Sequence, residues 1–302
     1  MKKIFILLPF IFIFMGCVDS ELIIQGENVG DGSGGDGNPP GSFNLQSYDF
    51  ESPFYDYQFN YNNEGQMTQA LVSMELLGQI FTGTANFLYT NDLISQVNVS
   101  PEGMYSNQSF FTYNEQNQLI EINAGTPELT NFVITHNDDN IIAVRTIDGI
   151  EENTFVFTKD SYGYINSYSF TDNATGNLIE VVFNMNDNLI TSNELKVNGI
   201  TSISYTYEYD NRTNPLYIQT INYFNELMLN DAFEMDAEDS AAALDSYAMY
   251  RSSNNITSMT ILNDMTNSTL TYEYQYNAEN LPQSAVITSE GEEPGIVTYT
   301  YY

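Results

Sequence analysis

A repeated unit of aromatic and polar residues constrains the fold of this chain more than any other feature. Each unit has an alternating aromatic run, a cluster of Asn, Asp, Gly or Glu, and an aliphatic residue that opens a second alternating run. The first runs end at comparable positions 22 to 28 residues apart, at Tyr61, Tyr89, Tyr113, His136, Thr158, Phe183 and Tyr209. Two strands of about six residues and two turns fill that length, so each unit is predicted to be one β-hairpin.

Tyrosines mark one face of the predicted strands. Tyr272, Tyr274 and Tyr276 alternate with Glu273 and Gln275, and residues 203–209 repeat the pattern. Antiparallel sheets commonly have one packed face and one solvated face. We therefore interpret the tyrosine rows as the inner face of a sheet rather than as a ligand-binding surface.

These patterns predict an all-β fold, a long antiparallel meander of about 14–16 strands. A sheet of that length normally twists or curls, so we expect a strongly curved sheet, an open barrel or roll. The segment 210–215 is predicted to be a long turn, because Asp and Asn tolerate left-handed backbone and Pro215 stops ladder pairing.

One short helix is predicted near 237–249, inside a helical insertion near 233–252. Asp236 can cap it, and its alanine-rich stripe has helical spacing. The stripe consists of Ala237, Ala241, Leu244 and Ala248. We expect the helix to cover apolar surface of the sheet, with a ligand lid as the alternative.

The first residues predict export. Lys2 and Lys3 precede an apolar run that ends at Gly16-Cys17, which is the pattern of a secretory signal. A small residue before cysteine resembles the lipobox of bacterial lipoproteins, and this resemblance implies cleavage after residue 16 and acylation of Cys17. Residues 17–42 are rich in Gly, Asp and Pro and are predicted to be a flexible tether. Residues 43–302 then form the β domain.

Charge narrows the range of partners. The formal net charge is −33, and only seven residues are Lys or Arg. A nucleic-acid surface needs clustered basic residues, so we expect no nucleic-acid partner. Attachment to a membrane would depend on the N-terminal lipid. A glycan or an envelope protein remains as a partner, and the oligomeric state is left open.

Catalytic and metal-binding patterns are sparse. His136 is the only histidine, and we interpret it as a solvated turn residue, with a His-Asp metal or proton-transfer site as the alternative. Paired carboxylates remain possible, as do calcium sites in the turns 137–140 and 184–188. We therefore expect no enzymatic activity, no catalytic or metal-binding residue, and no cofactor.

The order of the repeats also resembles a known group. An aromatic strand, Tyr-Asn or Tyr-Asp, a polar turn and Leu or Ile are similar to YD (RHS-like) repeats. The series "YEYDNRTNPLY", "SSNNIT", "YEYQYNAENLPQSA" and "VTYTYY" resembles uncharacterised Bacteroidetes lipoproteins that carry such repeats behind a tether. The resemblance implies an outer-membrane lipoprotein, exposed at the cell surface, and no established activity.

Three functions therefore compete. The first is a non-catalytic binding or scaffold module for a glycan, peptide or envelope partner. The second is a carrier of an apolar ligand inside a half-barrel, and the third is a carboxylate-based glycan hydrolase. The repeats, the predicted tether and the scarcity of catalytic groups favour the first.

The role of Cys17 can be tested directly. Cys17→Ala should abolish acylation, because it removes the residue that carries the lipid, and should leave an unprocessed or soluble exported protein. Membrane binding is lost with the acyl chains, since each buried methylene contributes about 0.8 kcal/mol to it. Mass spectrometry of the membrane-extracted protein checks this expectation. A mature N-terminus other than an acylated Cys17 would contradict it.

Overall fold

A computed structural model describes most of the chain after residue 44. It covers residues 45–51, 55–76, 79–101, 107–124, 129–173, 175–220, 225, 228–229, 244–263 and 267–302. The predicted signal and tether, with Cys17, lie outside these residues. Within the described part of the chain, no helix has the length and apolar character needed to cross a membrane.

Among the residues that the structure describes, eighteen antiparallel strands form one closed sheet. Each strand pairs with the next along the chain, and β18 pairs with β1, so that the meander closes into a barrel. The strands are β1 (Leu45–Glu51), β2 (Tyr55–Tyr61), β3 (Met67–Leu76), β4 (Gln79–Thr90), β5 (Leu93–Pro101), β6 (Asn107–Tyr113), β7 (Leu119–Ala124), β8 (Thr130–His136), β9 (Asn140–Ile147), β10 (Ile150–Lys159), β11 (Ile165–Thr171), β12 (Leu178–Asn186), β13 (Leu189–Val197), β14 (Ile200–Thr213), β15 (Asn254–Asn263), β16 (Asn267–Tyr276), β17 (Pro282–Ser289) and β18 (Gly295–Tyr301).

The predicted hairpins are confirmed, but the prediction of an open sheet of 14–16 strands was wrong. The repeat units supply the pairs from β2–β3 to β16–β17, while β1 and β18 lie outside them. These two strands pair with each other, with Tyr48 opposite Tyr299 and Phe50 opposite Val297. A closed sheet has no edge strand with unpaired backbone groups, which is the physical advantage over the open form.

The same turn closes four of the hairpins. In each, an Asn or Asp side chain accepts hydrogen bonds from the backbone N–H groups two and four residues later, at 2.8 to 3.1 Å. The third residue after it has positive φ. The accepting residues are Asn62, Asn114, Asp160 and Asn277. The side chain thus replaces missing backbone partners, which explains why Asn or Asp recurs at this point of the unit.

A one-residue bulge in the second strand follows most of the hairpin turns. The pairing register shifts by one residue just before the last inward residue of the first strand. The residues after the shift are Tyr61, Tyr89, Tyr113, Lys159, Met185, Tyr209 and Tyr276. Lys159 and Met185 therefore occupy the places that the sequence alignment assigned to Thr158 and Phe183, because an alternating pattern does not mark the residue at which a strand ends.

Aromatic and aliphatic side chains fill the inside of the sheet. Tyr205, Tyr207 and Tyr299 are buried, and Phe132 stacks edge-on against Phe155 with ring centroids 5.6 Å apart. Tyr272 and Tyr274 pack against this core, whereas Glu273 and Gln275 are exposed. The prediction that the tyrosine rows form an inner face is confirmed.

In the part of the chain that the structure describes, two helices with defined bounds follow β14, and the first of them was not predicted. Helix α1 spans Pro215–Thr220, and helix α2 spans Leu244–Arg251. The segment 210–215 is therefore not one long turn: β14 continues to Thr213, and Asn214 accepts a hydrogen bond from the N–H of Leu216 at 3.0 Å. Proline in the first turn of a helix after an Asn cap is favoured, because its missing N–H would have no partner there.

The predicted helix near 237–249 is confirmed only at its C-terminal part. Helix α2 continues to Arg251, and Ala248 of the predicted stripe is fully buried. Asp236, Ala237 and Ala241 lie outside the described residues.

Helices α1 and α2 lie at one end of the closed sheet. Helix α1 follows β14 and packs on β1, whereas α2 packs on β13. Ser252, just after α2, accepts a hydrogen bond from the N–H of Ile190 at 3.1 Å. Tyr247 of α2 packs edge-on against Phe183. These contacts favour the role of a fixed cover over that of a lid.

The repeated turn predicts a specific mutational effect. Asn114→Ala should lower the free energy of unfolding by about 1 kcal/mol, because two backbone N–H groups lose their side-chain acceptor. Asn114→Asp should retain most of the stability, since Asp160 fills the same role in another turn. Urea unfolding of the three proteins measures this, and equal losses for both variants would contradict the proposed function of the side chain in the turn.

Candidate functional site: the distal groove and its aliphatic rim

The closed sheet has two different ends. Strands β14 and β18 end on the same side, because alternate strands of an antiparallel meander run in the same direction. Helix α1 follows β14, and Leu45 pairs with Tyr301 of β18, so β1 begins at the end where the helices lie. We call this the capped end and the opposite one the distal end. Chain that precedes β1 therefore enters the domain at the capped end.

Two matched turns shape the distal end. Asp148-Gly149 and Asn198-Gly199 connect β9 to β10 and β13 to β14, and all four residues have positive φ. This is the two-residue turn that suits the twist of a hairpin. In both, the backbone N–H of the Asp or Asn donates to the carbonyl oxygen of a leucine in the neighbouring loop, at 2.8 Å. Its side-chain oxygen accepts from the N–H of the same leucine, at 3.3 Å for Leu129 and 2.9 Å for Leu178.

Aliphatic side chains beside these two hydrogen-bonded turns are exposed to solvent. Ile150 and Ile200 follow the turns and are 72% and 74% exposed, while Leu129 is 58% exposed. Leu178, the partner of the second turn, is also exposed. We call these four residues the distal rim. Single exposed apolar residues are common, but here the same paired arrangement occurs twice at the distal end, so we take the distal rim as the candidate contact surface.

An open groove lies between these two hydrogen-bonded turns. It has a volume of about 290 Å³ and is lined by Glu151, Glu152, Thr154, Thr171 and Asn173. We call this the distal groove. The groove and the rim are contiguous, since Ile150 precedes Glu151 in the chain and Leu178 pairs with Thr171 across the sheet. The result is a polar, acidic hollow with an aliphatic residue on each side.

A buried arginine and asparagine support the groove from below. Arg145 donates to the side-chain oxygen of Asn153 at 2.9 Å, and Asn153 donates to the carbonyl oxygen of Thr171 at 2.7 Å. Arg145 also lies 3.8 Å from Glu152. Its guanidinium is 5.7 Å from the centroid of the Phe155 ring. These hydrogen bonds connect β10 to β11 beneath the groove. The groove is therefore preorganised.

A second polar cluster lies at the capped end and serves to join strands. The Asp210 carboxylate accepts hydrogen bonds from the N–H of Asn255 at 3.2 Å and from the hydroxyl of Tyr276. Arg212 lies 4.5 Å from the centroid of the Tyr276 ring and donates to Asn280. Burial and the bond to Asp210 raise the pKa of Tyr276 above its ordinary value. Because the groups satisfy one another, the cluster has the character of a structural junction.

A third cluster fixes the helices to the sheet. Arg251 is 2% exposed, its guanidinium lies 3.3 Å from the Asp160 carboxylate, and it stacks 4.5 Å from the centroid of the Tyr164 ring. Burial raises the pKa of both Tyr164 and Tyr217, while the charge of Arg251 opposes that rise. A buried ion pair in this position anchors α2 to the β10–β11 turn.

His136 has a structural role and is not the solvated turn residue that the sequence predicted. It is half-buried at the end of β8, and its Nε2 donates to the carbonyl oxygen of Leu119 at 2.8 Å. Tyr89, Tyr209 and Tyr301 donate their hydroxyls to Met67, Ile190 and Pro282 in the same way, at 2.6 to 2.7 Å. The histidine thus replaces a tyrosine in a repeated interaction between neighbouring hairpins.

Some polar groups of the turns proposed for calcium form hydrogen bonds within the protein. In 137–140, the side chain of Asn137 donates to that of Asn140 at 2.7 Å, and Lys159 donates to the carbonyl oxygen of Asn137. In 184–188, Asn184 donates to Ser192. Among the residues that the structure describes, no three His, Cys, Asp or Glu side chains are grouped as metal ligands.

The distal groove was not predicted from the sequence. Its glutamates were two among many scattered acids, and pairing between β10 and β11 brings them beside Thr171 and Asn173. The one available signal was an isoleucine directly after each Asp-Gly or Asn-Gly turn. Such a position faces water, so an apolar residue that recurs there is unusual.

Comparison with known proteins yields no family. No family model matches the chain, and no curated protein matches it. Among solved structures, a porin-like protein from Bacteroides uniformis is 16% identical, with 85% of this chain and 96% of that chain covered and a TM-score of 0.40. A porin-like protein from Bacteroides vulgatus is 11% identical, with 86% and 99% covered and a TM-score of 0.34. TcdB2-TccC3-TEV is 9% identical, with 81% and 16% covered and a TM-score of 0.29. Scores this low carry no inference about the function of this chain.

The floor of the groove offers a test of the geometry. Asn153→Ala should lower the free energy of unfolding by about 1–3 kcal/mol, because the buried Arg145 and the Thr171 carbonyl both lose a partner. The exposed neighbour Thr154→Ala is the control and should change it by less than about 0.5 kcal/mol. Urea unfolding measures both, and equal effects would contradict the supporting role of Asn153.

Proposed function

We propose that this chain is a lipid-anchored binding module on the surface of a Bacteroidetes-type bacterium. Cys17 carries the lipid, residues 17–42 form the tether, and the closed sheet presents its distal rim and groove to partners outside the cell. The module binds without catalysing a reaction. Its repeats serve as the scaffold that holds the binding surface.

The position of β1 is the observation that carries this proposal. The chain enters the domain at the capped end, so a membrane anchor that precedes β1 lies on that side. The distal rim is then at the far side of the domain. Two pairs of exposed aliphatic residues around an open groove are the kind of surface that a partner covers.

The repeat structure supports the resemblance to YD-type lipoproteins. Four hairpins close with the same Asn or Asp interaction, and tyrosine hydroxyls connect successive hairpins. These features explain why Tyr-Asn or Lys-Asp precedes the turn. They have structural roles, which is consistent with a scaffold whose binding residues lie elsewhere.

The two other functions that the sequence allowed receive less support. An apolar ligand inside the sheet would have to displace buried rings, among them Phe132, Phe155 and Phe157. A carboxylate-based hydrolase needs two acids on opposite sides of a sugar. Glu151 and Glu152 are consecutive on one strand, and Glu152 lies beside Arg145.

Single-cysteine labelling of cells tests the proposed location. Cys17 is the only cysteine, so Ile150→Cys and Tyr162→Cys each add one free thiol, at the distal and capped ends of the β10 region. Both native side chains are 72% exposed. On intact cells, a bulky membrane-impermeant maleimide should label Ile150→Cys faster than Tyr162→Cys, because the anchored end is nearer the membrane.

The unmodified protein is the control and should not react, because the sulfur of its one cysteine carries the diacylated lipid. Labelling of either variant only after the outer membrane is permeabilised would contradict surface exposure. Faster labelling at Tyr162→Cys would contradict the proposed orientation.

A further inference from the structure

We infer that the distal groove binds a basic, apolar peptide segment of a protein partner. A Lys or Arg side chain enters the groove, and the apolar residues on either side of it contact the distal rim. This inference rests on the proposed function, to which it adds the chemical class of the partner.

The lining of the groove favours a hydrogen-bond donor with positive charge. Each of the five lining side chains carries an oxygen that can accept a hydrogen bond. Glu151 accepts one hydrogen bond from the Thr154 hydroxyl, at 3.1 Å. A carboxylate can accept about four, so Glu151 retains acceptor capacity toward the open side. A guanidinium or ammonium group forms the shortest and strongest hydrogen bonds with such an acceptor.

The two glutamates are not equivalent. Glu152 lies 3.8 Å from Arg145, whose positive charge partly balances it. Glu151 is exposed and accepts its hydrogen bond from the neutral hydroxyl of Thr154. Glu151 is therefore the group that a cation from a partner would bind.

The distal rim determines which order of basic and apolar residues a peptide partner needs. Ile150 stands directly before Glu151, and Leu178 pairs opposite Thr171 on the other side of the groove. A peptide with a basic residue between apolar residues would place its charge in the groove and its apolar side chains on this rim. The rim consists of Leu and Ile side chains, which match aliphatic side chains of a peptide better than the hydroxyl groups of a sugar.

The charge of the whole chain also favours a basic partner. The formal net charge is −33, and the five basic residues of the β domain are dispersed, at Arg145, Lys159, Lys196, Arg212 and Arg251. A domain of this charge attracts cationic segments and repels anionic ones at long range. Anionic polymers and anionic lipids are thus poor occupants of an acidic groove.

Calorimetric titration with three matched peptides tests the inference. The protein is the full mature chain with Cys17→Ala, which removes the acylation site. A seven-residue peptide of alternating Leu and Lys should bind. Alternating Leu and Glu tests the need for positive charge, and alternating Ser and Lys tests the need for apolar residues, so each should bind at least tenfold more weakly.

Four variants of the protein locate the binding. Ile150→Ser and Glu151→Gln should each weaken binding of the Leu/Lys peptide at least tenfold. Tyr162→Ser and Glu115→Gln make matched changes at the capped end and should leave the affinity unchanged. Tyr162 is as exposed as Ile150, at 72%.

The results separate this inference from the proposed function. No binding of the Leu/Lys peptide, or equal weakening by all four variants, overturns the inference. Binding of a neutral glycan that is lost in Ile150→Ser, in place of the peptide, also overturns it but supports a distal binding surface. Cell labelling that shows no surface exposure overturns the proposed function whatever the peptide result.

Discussion

The pairing of β1 with β18 is the interaction on which the rest of this structure depends. Without it, the meander would be a long sheet with two edges and an uncovered apolar face, which invites association with other chains. With it, Tyr48 meets Tyr299 and Phe50 meets Val297, and the inner face becomes a closed core. Closure also creates two ends, and those ends carry the features that distinguish this protein.

The capped and distal ends of the closed sheet differ in structure. At the capped end, α1 and α2 cover the core and are held by Arg251, Asp160 and Ser252. At the distal end, aliphatic residues beside tight turns are exposed to solvent around an acidic groove. Residues that satisfy one another, as at the capped end, contribute to stability. Exposed apolar groups beside acceptors with spare capacity are instead available to a partner.

Local patterns predicted the hairpins but not the candidate site. Alternating tyrosines report which face a strand buries, because that property depends on period two alone. His136 was misinterpreted because its partner, Leu119, lies in the neighbouring hairpin. The groove was missed for the same reason, since Glu151 meets Thr171 only after β10 pairs with β11. Neither contact has a signature within one unit of the sequence.

The sequence by itself determined that this chain forms antiparallel hairpins with a tyrosine-lined inner face, because strand period and turn chemistry act over a few residues. Only the tertiary structure decided that the sheet closes, since β1 and β18 are separated by almost the whole described chain. It also decided where the chain enters the domain and which acids share a groove. Closure and groove depend on contacts between distant strands, and such contacts follow from how all the hairpins pack together.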